Sequence, residues 1–103
     1  MSVKGWRYGM QLPVQTLTRT LVDPWEDKAT VSDLVTITKK AEETGHDFVG
    51  VCDHIAIPDN DYAANMTTTW YDTVATLSYL AAHTTTVNLL SVVWIAAYRH
   101  PLQ

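Results

Sequence analysis

The sequence predicts an α/β fold in which parallel strands alternate with helices. The run Phe48-Val49-Gly50-Val51-Cys52 is apolar or Gly without alternation, a pattern typical of a strand buried on both faces. Two stretches with helical periodicity follow capping-box patterns at residues 30–33 and 69–72. The resulting order, strand-helix-strand-helix-strand, is typical of parallel sheets whose strands are joined by helical crossovers.

The first strand is predicted at residues 7–12 and ends at Pro13, which has no N–H for a central ladder. A long polar connection, residues 14–29, leads to a helix with Thr30 as N-cap and Asp33 completing the box. Gly45 follows the last turn, as a C′ residue does. The predicted inner face is Val31, Leu34, Val35, Thr38 and Ala41, and the charged residues Lys39, Lys40, Glu42 and Glu43 are expected mostly opposite.

The second strand is predicted at residues 48–53 and is followed by another long connection, residues 55–68. Thr69 and Asp72 then predict a helix that extends to about His83. Its inner face is expected to contain Val74, Leu77 and Ala81. A third, β-branched and apolar strand is predicted at residues 87–95.

The connections that leave the strands are long, whereas those that leave the helices are short. Long connections without secondary structure are often functional. In barrels and doubly wound sheets the site lies at the C-terminal ends of the strands. Asp53 and His54 end the second strand on that side, so they are the first candidate site residues.

The composition and charge of the chain limit the classes of function and the cellular locations that we expect. The 103 residues carry a formal net charge of −4 and scattered Lys and Arg, which gives no reason to expect nucleic acid. No apolar run spans a bilayer, and Trp6-Arg7-Tyr8 interrupts any signal peptide. The single cysteine, Cys52, excludes an internal disulfide and favours the cytoplasm. We interpret Cys52 as a packing residue, with a nucleophile as the alternative.

A sheet of three parallel strands leaves two apolar edges that natural proteins avoid. The predicted elements include nothing to cover them. We therefore interpret residues 1–103 as the first part of a larger domain.

Four pieces of the sequence together resemble the luciferase-like monooxygenase family. They are residues 8–13 (Tyr-Gly-Met-Gln-Leu-Pro), 48–54 (ending in Asp-His), 70–84 (beginning Trp-Tyr-Asp), and 89–101 (ending Tyr-Arg-His-Pro). The resemblance implies a (β/α)8 TIM barrel of about 250 residues, of which this chain holds strands one to three in the order 1-2-3, with both helices on one side. It also implies a homodimer at full length and a flavin or deazaflavin cofactor.

The resemblance implies specific site residues. His54 matches a histidine near the reactive ring in deazaflavin-dependent members, where it transfers a proton or positions the substrate. Asp53 is expected to orient His54 or cap backbone at the cofactor site. A bulge with a non-proline cis peptide is implied at Val92–Val93, with Ser91 beside it, facing the cofactor.

The leading functional hypothesis is an oxidoreductase that transfers a hydride between coenzyme F420 and a small organic substrate. Ile95 stands where some F420-dependent relatives have a hydroxyl residue, so an FMN-dependent monooxygenase supplied by a separate flavin reductase is the alternative. A second alternative is a non-catalytic relative that binds flavin or has a structural role. A metal-dependent hydrolase with Asp53, His54, Asp59 and Asp61 is disfavoured because metal-binding motifs are absent from the sequence. We expect the isolated 103-residue chain to be inactive.

Overall fold

The structure is a computed structural model that describes residues 5–15, 20–61, 63–65 and 70–102. Within this part of the chain, three strands form one parallel sheet in the order β1-β2-β3. The strands are β1 (Gly9–Gln11), β2 (Phe48–Val51) and β3 (Asn88–Ser91). The predicted α/β fold and strand order are confirmed.

All three strands are shorter than predicted, and β1 and β3 are shorter at both ends. The ladder continues for one hydrogen bond beyond β1 and β3. Leu12 N–H donates to Gly50 O at 2.9 Å, and Val92 N–H donates to Val51 O at 2.7 Å. Residues 93–95, predicted as strand, have no regular secondary structure and lead into a short 3-10 helix at Ala96–Tyr98.

The first helix, α1 (Val31–Glu43), begins as predicted. Thr30 N–H donates to Asp33 Oδ2 at 2.7 Å, and the Thr30 hydroxyl accepts from Ser32 N–H at 3.3 Å, so the capping box is formed. Gly45 follows with φ of +83°, a conformation that favours glycine. The buried positions of α1 are Leu34, Thr38 and Ala41, three of the five predicted.

The second helix, α2 (Thr73–Ala81), differs from the prediction at both ends and in its buried face. Asp72 is the N-cap and accepts from Ala75 N–H at 2.7 Å. Thr69, the predicted cap, lies outside the described residues. The helix ends at Ala81, before the predicted His83. Its buried residues are Thr73, Thr76 and Leu80, whereas Val74 and Ala81, predicted to point inward, are exposed and Leu77 is half-buried.

The two faces of the sheet have different roles. One cross-strand row packs in or against the apolar core beneath the helices: Met10, Val49 and Leu89. Buried residues of both α1 and α2 belong to this same apolar core, so both helices cover this face, as predicted. The next row, on the opposite side, consists of Gln11, Gly50 and Leu90. We call that side, together with the side chain of Val92, the open face.

A carboxylate on α1 holds the start of β3. Glu42 accepts from the backbone N–H groups of Thr85, Thr86 and Val87 at 2.8–2.9 Å and from the Thr85 hydroxyl at 3.0 Å. These donors lower the pKa of Glu42 to about 2, with the Val87 N–H contributing most. Glu42 was predicted only to lie mostly opposite the inner face of α1, and its role as the acceptor for three consecutive N–H groups was not predicted.

The connection between β1 and α1 is anchored by buried polar side chains. Glu26, 6% exposed, accepts from Val14 N–H at 2.7 Å and from Asp23 N–H at 3.0 Å. Val14 has a φ of 71°, which is rare for a β-branched residue. Gln15, 2% exposed, donates to Leu12 O at 2.9 Å. These contacts fix the chain as it leaves the C-terminal end of β1.

Candidate functional site

The C-terminal ends of the three strands lie at one edge of the sheet because the strands are parallel. Asp53 and His54 leave β2 at this edge, and Val92 and Val93 leave β3 there. The structure therefore brings the predicted site residues to the same end of the fold, although their side chains do not all share a side of the sheet.

Asp53 is a buried carboxylate that binds the chain beyond β3. Its side chain is 1% exposed and faces the Arg99 side chain, which is 11% exposed. Arg99 donates through Nη1 to Asp53 Oδ2 at 2.6 Å and through Nη2 to Oδ1 at 2.7 Å. Ile95 N–H also donates to Oδ2, at 2.7 Å. The Asp53 carboxylate thus accepts hydrogen bonds from both the Arg99 side chain and the backbone of Ile95.

The charge of this pair is fixed over the ordinary pH range. The hydrogen bond from Arg99 holds the pKa of Asp53 well below its usual range, although burial alone would raise it. The same hydrogen bond raises the pKa of Arg99. The ion pair favours the charged form of Asp53, which does not suit a residue that must exchange protons.

His54 is half-buried and packs against Trp70. The centroids of the two rings are 3.9 Å apart, with an angle of 46° between the ring planes. A neighbouring indole limits the rotation of an imidazole and covers one side of it. Trp70 begins the motif at residues 70–84, but its contact with His54 was not predicted, since the two residues are 16 positions apart across the long second connection.

The Val92–Val93 peptide bond is cis, as the resemblance implied. Ser91 and Val92 lie on opposite sides of the sheet. Ser91 lines a cleft beside α2, whereas Val92 lies over Gly50: a Cβ atom at position 50 would be only 2.8 Å from Val92 Cγ2. The cofactor-binding roles of Asp53, Ser91, Val92 and Val93 stay predictions.

The cleft lies between α2 and the chain after β3 and has a volume of about 680 Å³. Its lining is mainly apolar, and the charged groups within it already have partners: Arg99 bonds to Asp53 and lies 3.8 Å from Asp72 Oδ2. His54 does not line it. The lining residues are Asp72, Thr73, Val74, Leu77, Ser91, Trp94 and Arg99.

Cys52 lies beside two glutamines. Gln11 Nε2 is 2.6 Å from Cys52 Sγ, and Cys52 N–H donates to Gln15 Oε1 at 2.7 Å. Burial raises the pKa of the Cys52 thiol, although the hydrogen bond from Gln11 opposes this. A raised pKa leaves little thiolate near neutral pH, which agrees with a packing residue rather than a nucleophile.

Within the described ranges, His, Cys, Asp and Glu side chains form no group of three or more that could hold a metal ion. Asp59 and Asp61, considered for a metal-dependent hydrolase, are exposed.

A family model described as luciferase-like monooxygenase matches residues 10–103, which is nearly the whole chain. The chain belongs to the luciferase-like monooxygenase family. Members of this family are generally oxidoreductases or monooxygenases, and they commonly bind flavin or deazaflavin cofactors. The three parallel strands in the order 1-2-3 and their two helices agree with part of the barrel of such a luciferase-like protein.

Searches of curated proteins and of solved structures return no significant match to this luciferase-like chain. None of the helices in its described part has the length and apolar character needed to cross a membrane.

Proposed function

We propose that residues 1–103 form the first three strands of a (β/α)8 oxidoreductase that transfers a hydride between coenzyme F420 and a small organic substrate. Family membership supports the flavin-type chemistry. The observation that carries the choice of F420 is His54, which lies three residues after the end of β2 at the C-terminal edge. This is the position of the histidine in the deazaflavin-dependent members that the sequence resembles.

The open face suits the planar ring of such a cofactor. Gly50 has no side chain, and the side chain of Val92 lies over it. Leu90 is 43% exposed, Val92 40% and Val93 62%, which leaves apolar surface for a ring to cover. A bound deazaflavin would supply two-electron chemistry, because carbon replaces the nitrogen through which flavins react readily with oxygen.

The chain's own residues have three tasks in this proposal. Val92 and Val93 would contact the ring, and Val92 rests on the backbone of Gly50. His54 donates or accepts a proton through one imidazole nitrogen. Trp70 restricts the orientation of the imidazole and shields one side of it from water, which strengthens electrostatic interactions there.

An FMN-dependent monooxygenase is the second candidate, and Ile95 is the observation that favours it. In some deazaflavin relatives a hydroxyl residue stands at this position toward the cofactor. Here the Ile95 side chain is apolar, and its N–H is already bonded to Asp53. This candidate needs a separate flavin reductase to supply reduced FMN.

Titration of the full-length natural protein that contains residues 1–103 tests the proposal. We expect F420 to bind in the micromolar range, measured by quenching of its fluorescence, and to be reduced by a small organic substrate. Tighter binding of FMN, with oxygen-dependent turnover, would favour the monooxygenase. Binding without any turnover would favour the non-catalytic relative. Sedimentation of the same protein tests the proposed homodimer, and fractionation of cells tests the proposed cytoplasmic location.

A further inference from the structure

The chain that follows β3 is attached to β2 at successive points along its length. We call Val92–Arg99 the 92–99 segment. Val92 N–H donates to Val51 O at 2.7 Å, and Ile95 N–H donates to Asp53 Oδ2 at 2.7 Å. Arg99 then closes the segment with two hydrogen bonds to the same carboxylate. Asp53 therefore binds the middle and the end of the segment at once.

Arg99 extends this attachment to other elements. Its Nη1 donates to Ile95 O at 3.3 Å, and its guanidinium lies 5.4 Å from the centre of the Trp94 ring. Its Nη2 is 3.8 Å from Asp72, the N-cap of α2. One guanidinium thus links the end of β2, the start of α2 and the 92–99 segment.

Because the pair between Asp53 and Arg99 is buried, neither residue can be replaced without a cost. Removing one member of a buried ion pair leaves the other charge without compensation. A lysine at position 99 keeps the charge but not the fork that bonds both carboxylate oxygens. The pair between Arg7 and Asp47 offers a matched contrast, because it joins the same residue types at 3.4 Å while the Arg7 side chain is 80% exposed.

We propose that Asp53 and Arg99 are positioning residues, which hold the 92–99 segment so that Val92 and Val93 keep a fixed place beside the open face. The role of that fixed place in cofactor binding rests on the proposed function, whereas the attachment itself does not. On this account Asp53 acts through the backbone of the segment, without touching the cofactor.

Amide hydrogen exchange tests the attachment without any cofactor. We expect Arg99→Met to speed exchange at Ile95 and Tyr98 by about tenfold or more, with the α1 amide of Thr38 unchanged. Arg7→Met should change none of the three. If Arg99→Met does not fold, Arg99→Lys provides the same measurement with a smaller increase. Unchanged exchange at Ile95, or an equal increase at Thr38, would overturn the proposal.

Cofactor binding by the full-length natural protein tests the consequence. We expect Arg99→Lys to weaken flavin or deazaflavin binding by about tenfold, while the pH dependence of kcat stays as in the wild type because His54 is untouched. Arg7→Lys should leave the dissociation constant unchanged. Faster exchange at Ile95 with an unchanged dissociation constant would overturn the positioning role. A wild-type protein that binds neither cofactor would refute the proposed function, and the exchange result alone would then decide whether the pair holds the segment.

Discussion

His54 combines a titratable ring with a position at the C-terminal edge of the sheet and an aromatic neighbour, Trp70. If it transfers a proton, His54→Ala in the full-length protein should lower kcat by roughly 10²–10⁴-fold, with little change in cofactor affinity. His54→Asn should restore little, because an amide keeps hydrogen bonding without basicity. Steady-state kinetics under saturating cofactor measures both variants.

His83→Ala is the matched control for this substitution. His83 is exposed after α2 and packs edge-on against Tyr79, so its loss should leave kcat unchanged. A His54→Ala enzyme that keeps more than about a third of the wild-type kcat would reduce His54 to a positional role.

Single residues also show how much of the candidate site can be predicted from the sequence. The apolar run that stops at Asp53 and His54 was enough to predict β2 to within two residues of its end, together with the edge of the sheet that these residues reach. The partner of Asp53 was not predictable, because Arg99 is 46 positions away and a carboxylate next to a histidine suggests a local pair. The contact arises only when the chain after β3 folds back on β2.

Among the secondary-structure elements, α2 is the helix for which hydrophobic periodicity predicts the wrong buried face. Leu80→Ala should lower the free energy of unfolding by about 2–5 kcal/mol, because Leu80 is fully buried. Val74→Ala should change it by less than about 0.5 kcal/mol, as at exposed positions generally. Urea denaturation followed by circular dichroism measures both. A larger loss of unfolding free energy for Val74→Ala would instead support the inner face predicted from the sequence.

The predicted inner face of α2 is wrong because threonines occupy buried positions where apolar residues were expected. The Thr73 hydroxyl donates to Cys52 O, and the Thr76 hydroxyl donates to Asp72 O at 2.6 Å. A buried hydroxyl that has a hydrogen-bond partner costs little. A reading of apolar residues alone misplaces the helix, whereas the capping box of α1 was predicted correctly because its bonds are local.

Glu42 predicts how the junction between α1 and β3 responds to acid. Its pKa falls on folding from 4.5 to about 2. The carboxylate therefore stabilises the fold at pH values above its pKa in the unfolded chain, and this contribution disappears as the pH falls toward 2. Glu42→Gln should therefore lower the urea midpoint at pH 7, and the difference from wild type should shrink as the pH is lowered from 5 to 2. Glu43→Gln, at an exposed site paired with Lys40, is the control. A difference that is the same at pH 7 and pH 2 would contradict this account.

For the whole molecule, β1 and β3 are edge strands of the sheet in the described part of the chain. Apolar side chains near the β3 edge are exposed, including Val93 at 62% and Tyr98 at 62%. We expect the 103-residue chain by itself to associate in sedimentation experiments. We also expect it to show no turnover and no saturable binding of FMN or F420 below about millimolar concentration, since one wall of a pocket leaves a ligand largely hydrated. A one-to-one micromolar complex in calorimetry would show that the site is complete within these residues.

The close approach of Gly50 and Val92 links two positions that are far apart in sequence. A Cβ at position 50 and the Cγ2 of Val92 would compete for one small volume, so a larger residue at position 50 requires a smaller or displaced side chain at position 92. Gly50→Ala alone should cost about 1–3 kcal/mol of stability, whereas the double variant with Val92→Ala should recover part of that loss, a non-additive result that a double-mutant cycle detects. Across evolution the two positions should therefore covary, with a larger residue at 50 accompanied by a smaller one at 92. Relatives in which both positions are large would contradict this shared volume.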